Sequence, residues 1–291
     1  MKYSPFPIVG LLMVVGSGAA HATDISGTIS STLTIFEDSQ LAGDVTCTVS
    51  GASCIVFGAS DIKLHLNGHT VTGNGVRGSC PSGVVRGEDG INTDFKDHVS
   101  IEGPGLIRRF REMGIVVVGN DSEVKDVVVA SSCRDGISVF GSHNKVEEST
   151  VIRASLGGGF FAGIVCAGGG GHRIRRNEVV GAGPATLIGS GPAVLSGGGT
   201  GIFIASNDNL IEKNDISGNP GAGIFVSTPS VGAVTGNVIR RNRALGNVIF
   251  DDIFDGNASG SNTYKGNLCE VSRIGSPPVS ICASSAESVR N

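Results

Sequence analysis

The sequence has no tryptophan, two tyrosines and three methionines, and aromatic residues make up only 5% of its 291 positions. A core stacked from large rings is therefore excluded, and whatever layers form must approach one another closely. No Cys-x-x-Cys pair occurs, which removes a common structural zinc arrangement. No apolar run reaches the roughly 20 residues that span a bilayer, so no stable membrane insertion is expected. No long segment carries a 3.6-residue apolar face, which sets aside helical bundles and coiled coils. Basic residues are in deficit: 22 Lys and Arg stand against 26 Asp and Glu, and no nucleic-acid partner is expected from such a balance.

What is abundant is glycine, at 46 residues, beside a hydrophobic share of 40%. There is no Gly-x-y period, so this is not collagen, and the apolar share is too high for a disordered chain. The composition fits short apolar strands separated by many tight turns. At the start, Lys2, the apolar run Ile8 to Val15 and the small residues "GSGAAHA" read as a signal peptide over residues 1–22, cleaved after Ala22. Removing Lys2 with it leaves 21 basic against 26 acidic residues, a formal charge of −5. A secreted or periplasmic location is the expectation, and there cysteines can oxidise. The seven cysteines are Cys47, Cys54, Cys80, Cys133, Cys166, Cys269 and Cys282, an odd number that leaves at least one outside any intrachain bridge. Cys47/Cys54 and Cys269/Cys282 are close enough to staple the two ends, with Cys47/Cys80 equally open from spacing. Cys166, at an apolar strand position, reads as a small core side chain.

Two short motifs recur out of phase. Gly-Ile followed by alternating residues appears as "GIVVV", "GISVF", "GIVCA", "GIFIA" and "GIFVS", starting at Gly114, Gly136, Gly163, Gly201 and Gly223 in steps of 22, 27, 38 and 22 residues. Between them lie "NKVEES", "HRIRRN", "NLIEKN", "NVIRRN" and "NTYKGN", starting at Asn144, His172, Asn209, Asn237 and Asn262. Two strands per period, each bounded by glycine or asparagine, have the size of one coil of a parallel β-solenoid, and neither buries its apolar side alone. Stacking at about 4.8 Å per coil predicts one internal ladder of Ile137, Ile164, Ile202 and Ile224, and another of Val146, Ile174, Ile211 and Ile239. Asparagine suits the turns because it tolerates tight dihedrals and its amide can bond from coil to coil. Eight or nine coils are expected over residues 54–268, with a loop projecting near 181–199, an N-terminal cap over 23–53 and a C-terminal cap and tail over 269–291.

From about Cys54 to Asn267 this pattern resembles the secreted right-handed parallel β-helix superfamily, which includes pectate lyases, polygalacturonases, alginate lyases, mannuronan C5-epimerases and a periplasmic metalloenzyme-maturation protein. The resemblance implies an all-β, single-stranded right-handed parallel β-helix. It also implies an exported protein acting on a polysaccharide, most sharply as a lyase or epimerase of a uronate-containing glycan. The alternative is a noncatalytic glycan-binding, surface-structural or periplasmic assembly protein. The Gly-His-Gly and Arg-Ile-Lys elements of polygalacturonases and the Asp-Pro-His element of the epimerases are absent.

With coils in register, the residues after the second-strand core position form an outward column: Lys125, Glu147, Arg175, Glu212, Arg240 and Lys265. Its alternating signs predict pairing between coils. The next column runs Asp126, Glu148, Arg176, Lys213 and Arg241, so the C-terminal half gains a basic patch suited to an anionic polysaccharide. Arg175 and Arg240 are candidate catalytic groups, with carboxylate clamping their easier role because guanidinium is rarely deprotonated. Arg176, Lys213 and Arg241 are candidate substrate contacts. Asp251 and Asp252 are candidate catalytic carboxylates and, with Asp255, candidate calcium ligands, calcium being the expected cofactor if any is used. The competing reading of "VIFDDIFDGN" is a turn whose aspartates accept backbone hydrogen bonds. Phe203, Phe225 and Phe254 fall in one outward strip with Val116 and Val165. Such a strip either packs beneath the 181–199 loop or, if open, stacks sugar rings.

Overall fold

The computed structural model describes residues 22–75, 80, 87–157, 161–184, 198–227, 232–248, 251–258, 260–274 and 281–283. Residues 1–21 of the leader proposed at 1–22, the centre of the 181–199 loop and most of the tail fall outside these residues.

Glycine followed by isoleucine builds the first face of the solenoid. Ten parallel strands stack in one sheet, from Leu33–Ile35 through Ile137–Val139 and Ile224–Val226 to Ser272–Ile274. Ile137, Ile164, Ile202 and Ile224 are direct partners in successive strands, and all four are fully buried, each contributing about 1.5–3 kcal/mol of transfer free energy. The glycine before each isoleucine is a packing requirement. A Cβ at Gly163 would lie 2.2 Å from Val179 Cγ1, and one at Gly201 would lie 2.1 Å from Ile216 Cγ2. At this corner the backbone passes directly over side chains that the chain places later in the same coil.

The second face carries Val146, Ile174, Ile211 and Ile239 in register inside, as the repeat predicts. Where two strands per coil were expected, the structure has three. Thr70–Thr72, Leu106–Arg108, Val128–Ala130, Thr150–Ile152 and Glu178–Val180 form a third face, with two to four residues between each and the end of the second-face strand before it. Bridges at Asp215 continue this face towards Arg243–Ala244. The long strand Ser39–Cys47 pairs with both the second and the third face at the N-terminal end. Val71, Ile107, Val129, Val151, Val179 and Ile216 close the interior from this side. Eight of the ten first-face strands among the described residues lie within 54–268, in line with the eight or nine coils expected there, and Leu33–Ile35 and Ser272–Ile274 extend the stack into the stretches expected as caps.

The turn between second and third faces is one left-handed residue followed, from Glu148 onward, by a buried polar one. Asp126, Glu148, Arg176, Lys213 and Arg241 all have φ between 53° and 56°, a conformation that projects their side chains outward. Behind them stand Val127, Ser149, Asn177, Asn214 and Asn242, and Asn267 follows the left-handed Gly266 one coil further on. Asn214 is typical: its Oδ1 accepts from Asn177 N–H at 2.9 Å, and its Nδ2 donates to Ile174 O at 2.9 Å and Asn242 Oδ1 at 2.9 Å. A parallel column, Asn144, His172, Asn209, Asn237 and Asn262, lines the turn into the second face. Disulfides join Cys47 to Cys54 and Cys269 to Cys282, while Cys80 pairs with Cys133 rather than Cys47. Cys166 is a buried free thiol.

Candidate functional site

The charge column of the second face forms as the register requires. Lys125 lies beside Glu147, Glu147 beside Arg175, Arg175 beside Glu212, and Glu212 beside Arg240, with Lys265 following. Its centre is Glu212, a buried carboxylate. Arg240 Nε donates to Oε1 at 3.1 Å, Arg241 Nη1 stands 3.7 Å from the same oxygen, and Arg175 Nε is 3.4 Å from Oε2. Burial alone would raise the Glu212 carboxyl. The hydrogen bond from Arg240 and the charges of Arg240, Arg175 and Lys213 outweigh it and hold the group below the ordinary carboxylate value. Arg176 is drawn instead towards Glu147, at 3.2 Å, and Glu148. Three guanidiniums share one carboxylate at Glu212, so the patch keeps a positive surplus, to which exposed Lys213, Arg173 and Lys265 add.

Phe203, Phe225 and Phe254 stack in one ladder on the outside of the first face, with centroids 5.6 and 5.0 Å apart. Phe225 is buried with Val116 and Val165, whereas Phe203 and Phe254 are half-buried, so only parts of the strip reach solvent. This ladder and the Glu212 cluster lie on different faces.

The aspartates of 251–255 do not converge. Asp252 Oδ1 accepts from Asn247 N–H and Nδ2, and Oδ2 accepts from the amides of Glu270 and Val271, at 2.9–3.2 Å. Asp255 points into the solenoid in the column of Val226 and accepts from Asn257 N–H and Nδ2, Asn262 Nδ2 and the Tyr264 hydroxyl. Burial, with the charge of Asp255 added, pushes the Tyr264 hydroxyl well above its ordinary value, so it stays a donor. Asp251 is buried at the strand start beside the column of Ala222. The donors that already occupy Asp252 and Asp255 give these two carboxylates the geometry of structural acceptors. No group of three or more His, Cys, Asp and Glu able to hold a metal ion is found among the described residues.

A carboxylate cluster that the repeat gave no reason to single out lies at the glycine corner of the N-terminal coils. Glu88, Asp89, Glu112 and Asp135 are all buried there. Asp89 accepts from Met113 N–H at 3.2 Å and from Ser53 Oγ at 3.2 Å, while Asp135 accepts from Ala162 N–H at 2.8 Å and Ser138 Oγ at 3.0 Å. Burial, reinforced by the charge of Glu112, raises both carboxyls to about 6. Arg111 pairs with Glu88 at 3.2 Å, and Arg134 pairs with Glu112 while its guanidinium covers the Phe161 ring at 4.3 Å. A small pocket beside Asp89 is lined by Asn74, Glu88, Phe110 and Arg111. The sequence signal was an acidic residue before the repeat glycine at Asp89 and Asp135, two coils apart.

The family model described as "Right handed beta helix region" matches residues 113–288. A comparison with curated proteins finds no match. Among solved structures, the Dettilon tailspike protein (gp208) is 17% identical with a TM-score of 0.61, covering 83% of this chain and 46% of the tailspike. Pectate lyase Pel9A is 15% identical with a TM-score of 0.45, over 90% of this chain and 71% of the lyase. The A-module of the mannuronan C-5 epimerase AlgE6 of Azotobacter vinelandii is 15% identical with a TM-score of 0.39, over 87% and 80%. This chain thus spans less than half of the tailspike's length. The three-faced coil, the stacked isoleucines and the family match agree: the chain belongs to the right-handed β-helix family.

Proposed function

We propose that this is an exported protein that engages an anionic polysaccharide along the C-terminal half of its second face. In its sharper form the proposal is lyase cleavage or epimerisation of a uronate-containing polymer. The observation that supports it is the sharing of Glu212 by Arg175, Arg240 and Arg241, which leaves fixed, half-desolvated positive charge where a carboxylate can bind. Arg176, Lys213 and Arg241, set outward by their left-handed turn, are the contacts for successive acidic groups of the polymer. Arg175 and Arg240 hold the comb in position from within.

The test is incubation of the purified mature protein with alginate, pectate and a sulfated glycan, with and without calcium, followed by mass spectrometry and by retention on the immobilised polymers at low and high salt. Unsaturated oligomers establish a lyase, and an altered uronate composition without cleavage establishes an epimerase. Salt-sensitive retention without chemistry leaves the binding role alone. No retention of any polyanion refutes the reading.

A further inference from the structure

We propose a second glycan contact, for a neutral pyranose chain, on the N-terminal edge between the first and second faces, built around Phe36 and Phe95. These are the exposed phenylalanines among the described residues, at 69% and 76% exposure. Phe36 follows the strand Leu33–Ile35, and its ring lies over the next coil at Gly58, where a Cβ would come within 2.4 Å of Phe36 Cε1. Glycine there makes a flat bed for one ring face. The ring itself remains mostly open to solvent.

Phe95 stands one coil further on and is held in a way its own chemistry opposes. Lys96 N–H donates to Thr93 O at 2.9 Å across a turn whose central residues, Asp94 and Phe95, have φ of 45° and 58°. Such a turn normally takes Asn-Gly or Asp-Gly, because a bulky side chain is disfavoured at positive φ. Here a phenylalanine occupies the glycine position and points into water. Neither burial nor backbone preference accounts for it, and strain of this kind is a pointer to function.

The chemistry of the surroundings selects the occupant. Glu37, Asp38, Asp61 and Asp94 are exposed along the same edge, against Lys96 at 3.9 Å from Asp94 and His98 at 3.4 Å from Asp61, so the edge is acidic on balance and repels a polyanion, as it does a second copy of itself. Two rings also fall well short of the roughly 800 Å² per partner that a stable protein interface buries. An uncharged pyranose meets both conditions, stacking its C–H face on a ring and donating hydroxyls to the carboxylates. The register places Gly58 and then Asp94 in the column of Phe36, so Phe95 stands two coil steps on and one residue along; the two steps amount to about 10 Å at 4.8 Å each, a spacing that lets an extended chain place alternate sugars on the rings.

The experiment is native affinity electrophoresis of the full mature protein in gels containing hydroxyethylcellulose, xylan or galactomannan, with wild type, Phe36→Ala/Phe95→Ala and Phe95→Gly. We expect retardation of the wild type by at least one polymer and a loss of about tenfold or more in apparent affinity for the double variant. Phe95→Gly should weaken retardation while raising Tm, since it relieves the turn, and this separates binding from folding. Retardation unchanged in the double variant, or absent for the wild type in all three gels, overturns the proposal. Retention on pectate or alginate reads the second-face patch separately.

Discussion

The N-terminal and C-terminal coils stack the same three strands but satisfy their corners with different chemistry. From Asn177 to Asn267 the corner between the second and third faces is lined by amides that bond from coil to coil and carry no charge. Around Asp89, Glu112 and Asp135 the same task of capping the next coil's N–H falls to buried carboxyls, helped by the Cys80–Cys133 and Cys47–Cys54 disulfides. An amide supplies donor and acceptor at once, whereas a carboxyl does so only when protonated. The amide-lined corners should therefore be indifferent to pH, and the carboxyl corner around Asp89 and Asp135 responsive to it.

The strongest way to break that contrast is to remove an amide. Asn214→Ala deprives Asn177 N–H and Ile174 O of their side-chain partner in the interior, and we expect a loss of about 3 kcal/mol or more in urea unfolding, against about 1 kcal/mol for Ser149→Ala in the same column. Equal losses would show that the amide column adds nothing beyond a hydroxyl.

Next comes the carboxyl corner. Asp135 is raised to about 6, so the folded state holds its proton more tightly than the unfolded chain, and stability falls as pH rises from about 4 to 6 and stays low above. Asp135→Asn should remove that fall, raising stability at pH 8 by about 2–3 kcal/mol while changing little at pH 4. Thermal unfolding across this range reads it. A uniform shift at every pH would place the effect in packing instead.

Smaller effects sharpen the comparison within the C-terminal half. Glu212→Gln removes the shared carboxylate, and we expect a stability loss of about 1 kcal/mol together with tighter, more salt-sensitive retention on pectate. Unchanged retention would detach the patch from polyanion binding. His172 is the titrating member of an otherwise amide column: its Nδ1 accepts from Asn144 N–H at 3.2 Å, and Nε2 meets Ala167 O at 2.9 Å. Burial foremost lowers it, so its contribution is present above about pH 6.5 and lost as pH falls below. His172→Asn should abolish that acid-side loss and leave pH 8 unchanged.

Much of this architecture was legible from two motifs. Gly-Ile marked the first face, and the asparagine motif marked the second with its outward charges, because each strand carries its own punctuation and the coil repeat then fixes which side chains are neighbours. The third face was hidden since it follows the second within a few residues, and segments such as Val127–Ala130 show neither alternation nor a bounding glycine. Of the candidate residues, the arginines fell where the register put them, but their engagement by Glu212 depends on rotamers that spacing does not encode. Asp251, Asp252 and Asp255 are close in sequence yet face different surroundings, while Asp89 and Asp135 are far apart in sequence and share one corner.

The stacked asparagines carry a consequence for how such a chain changes length. Each reads only the coil before and the coil after it, so a whole turn added or removed restores the same contacts on both sides, whereas a fraction of a turn misaligns every column beyond it. Extra sequence is tolerated where it leaves and re-enters at one corner, as the stretch between Val180 and Thr200 does, with Ala162 still paired to Thr200. The molecule is thus extensible in discrete units, and its outward columns of charge or aromatic rings lengthen or shorten by one sugar-sized step at a time.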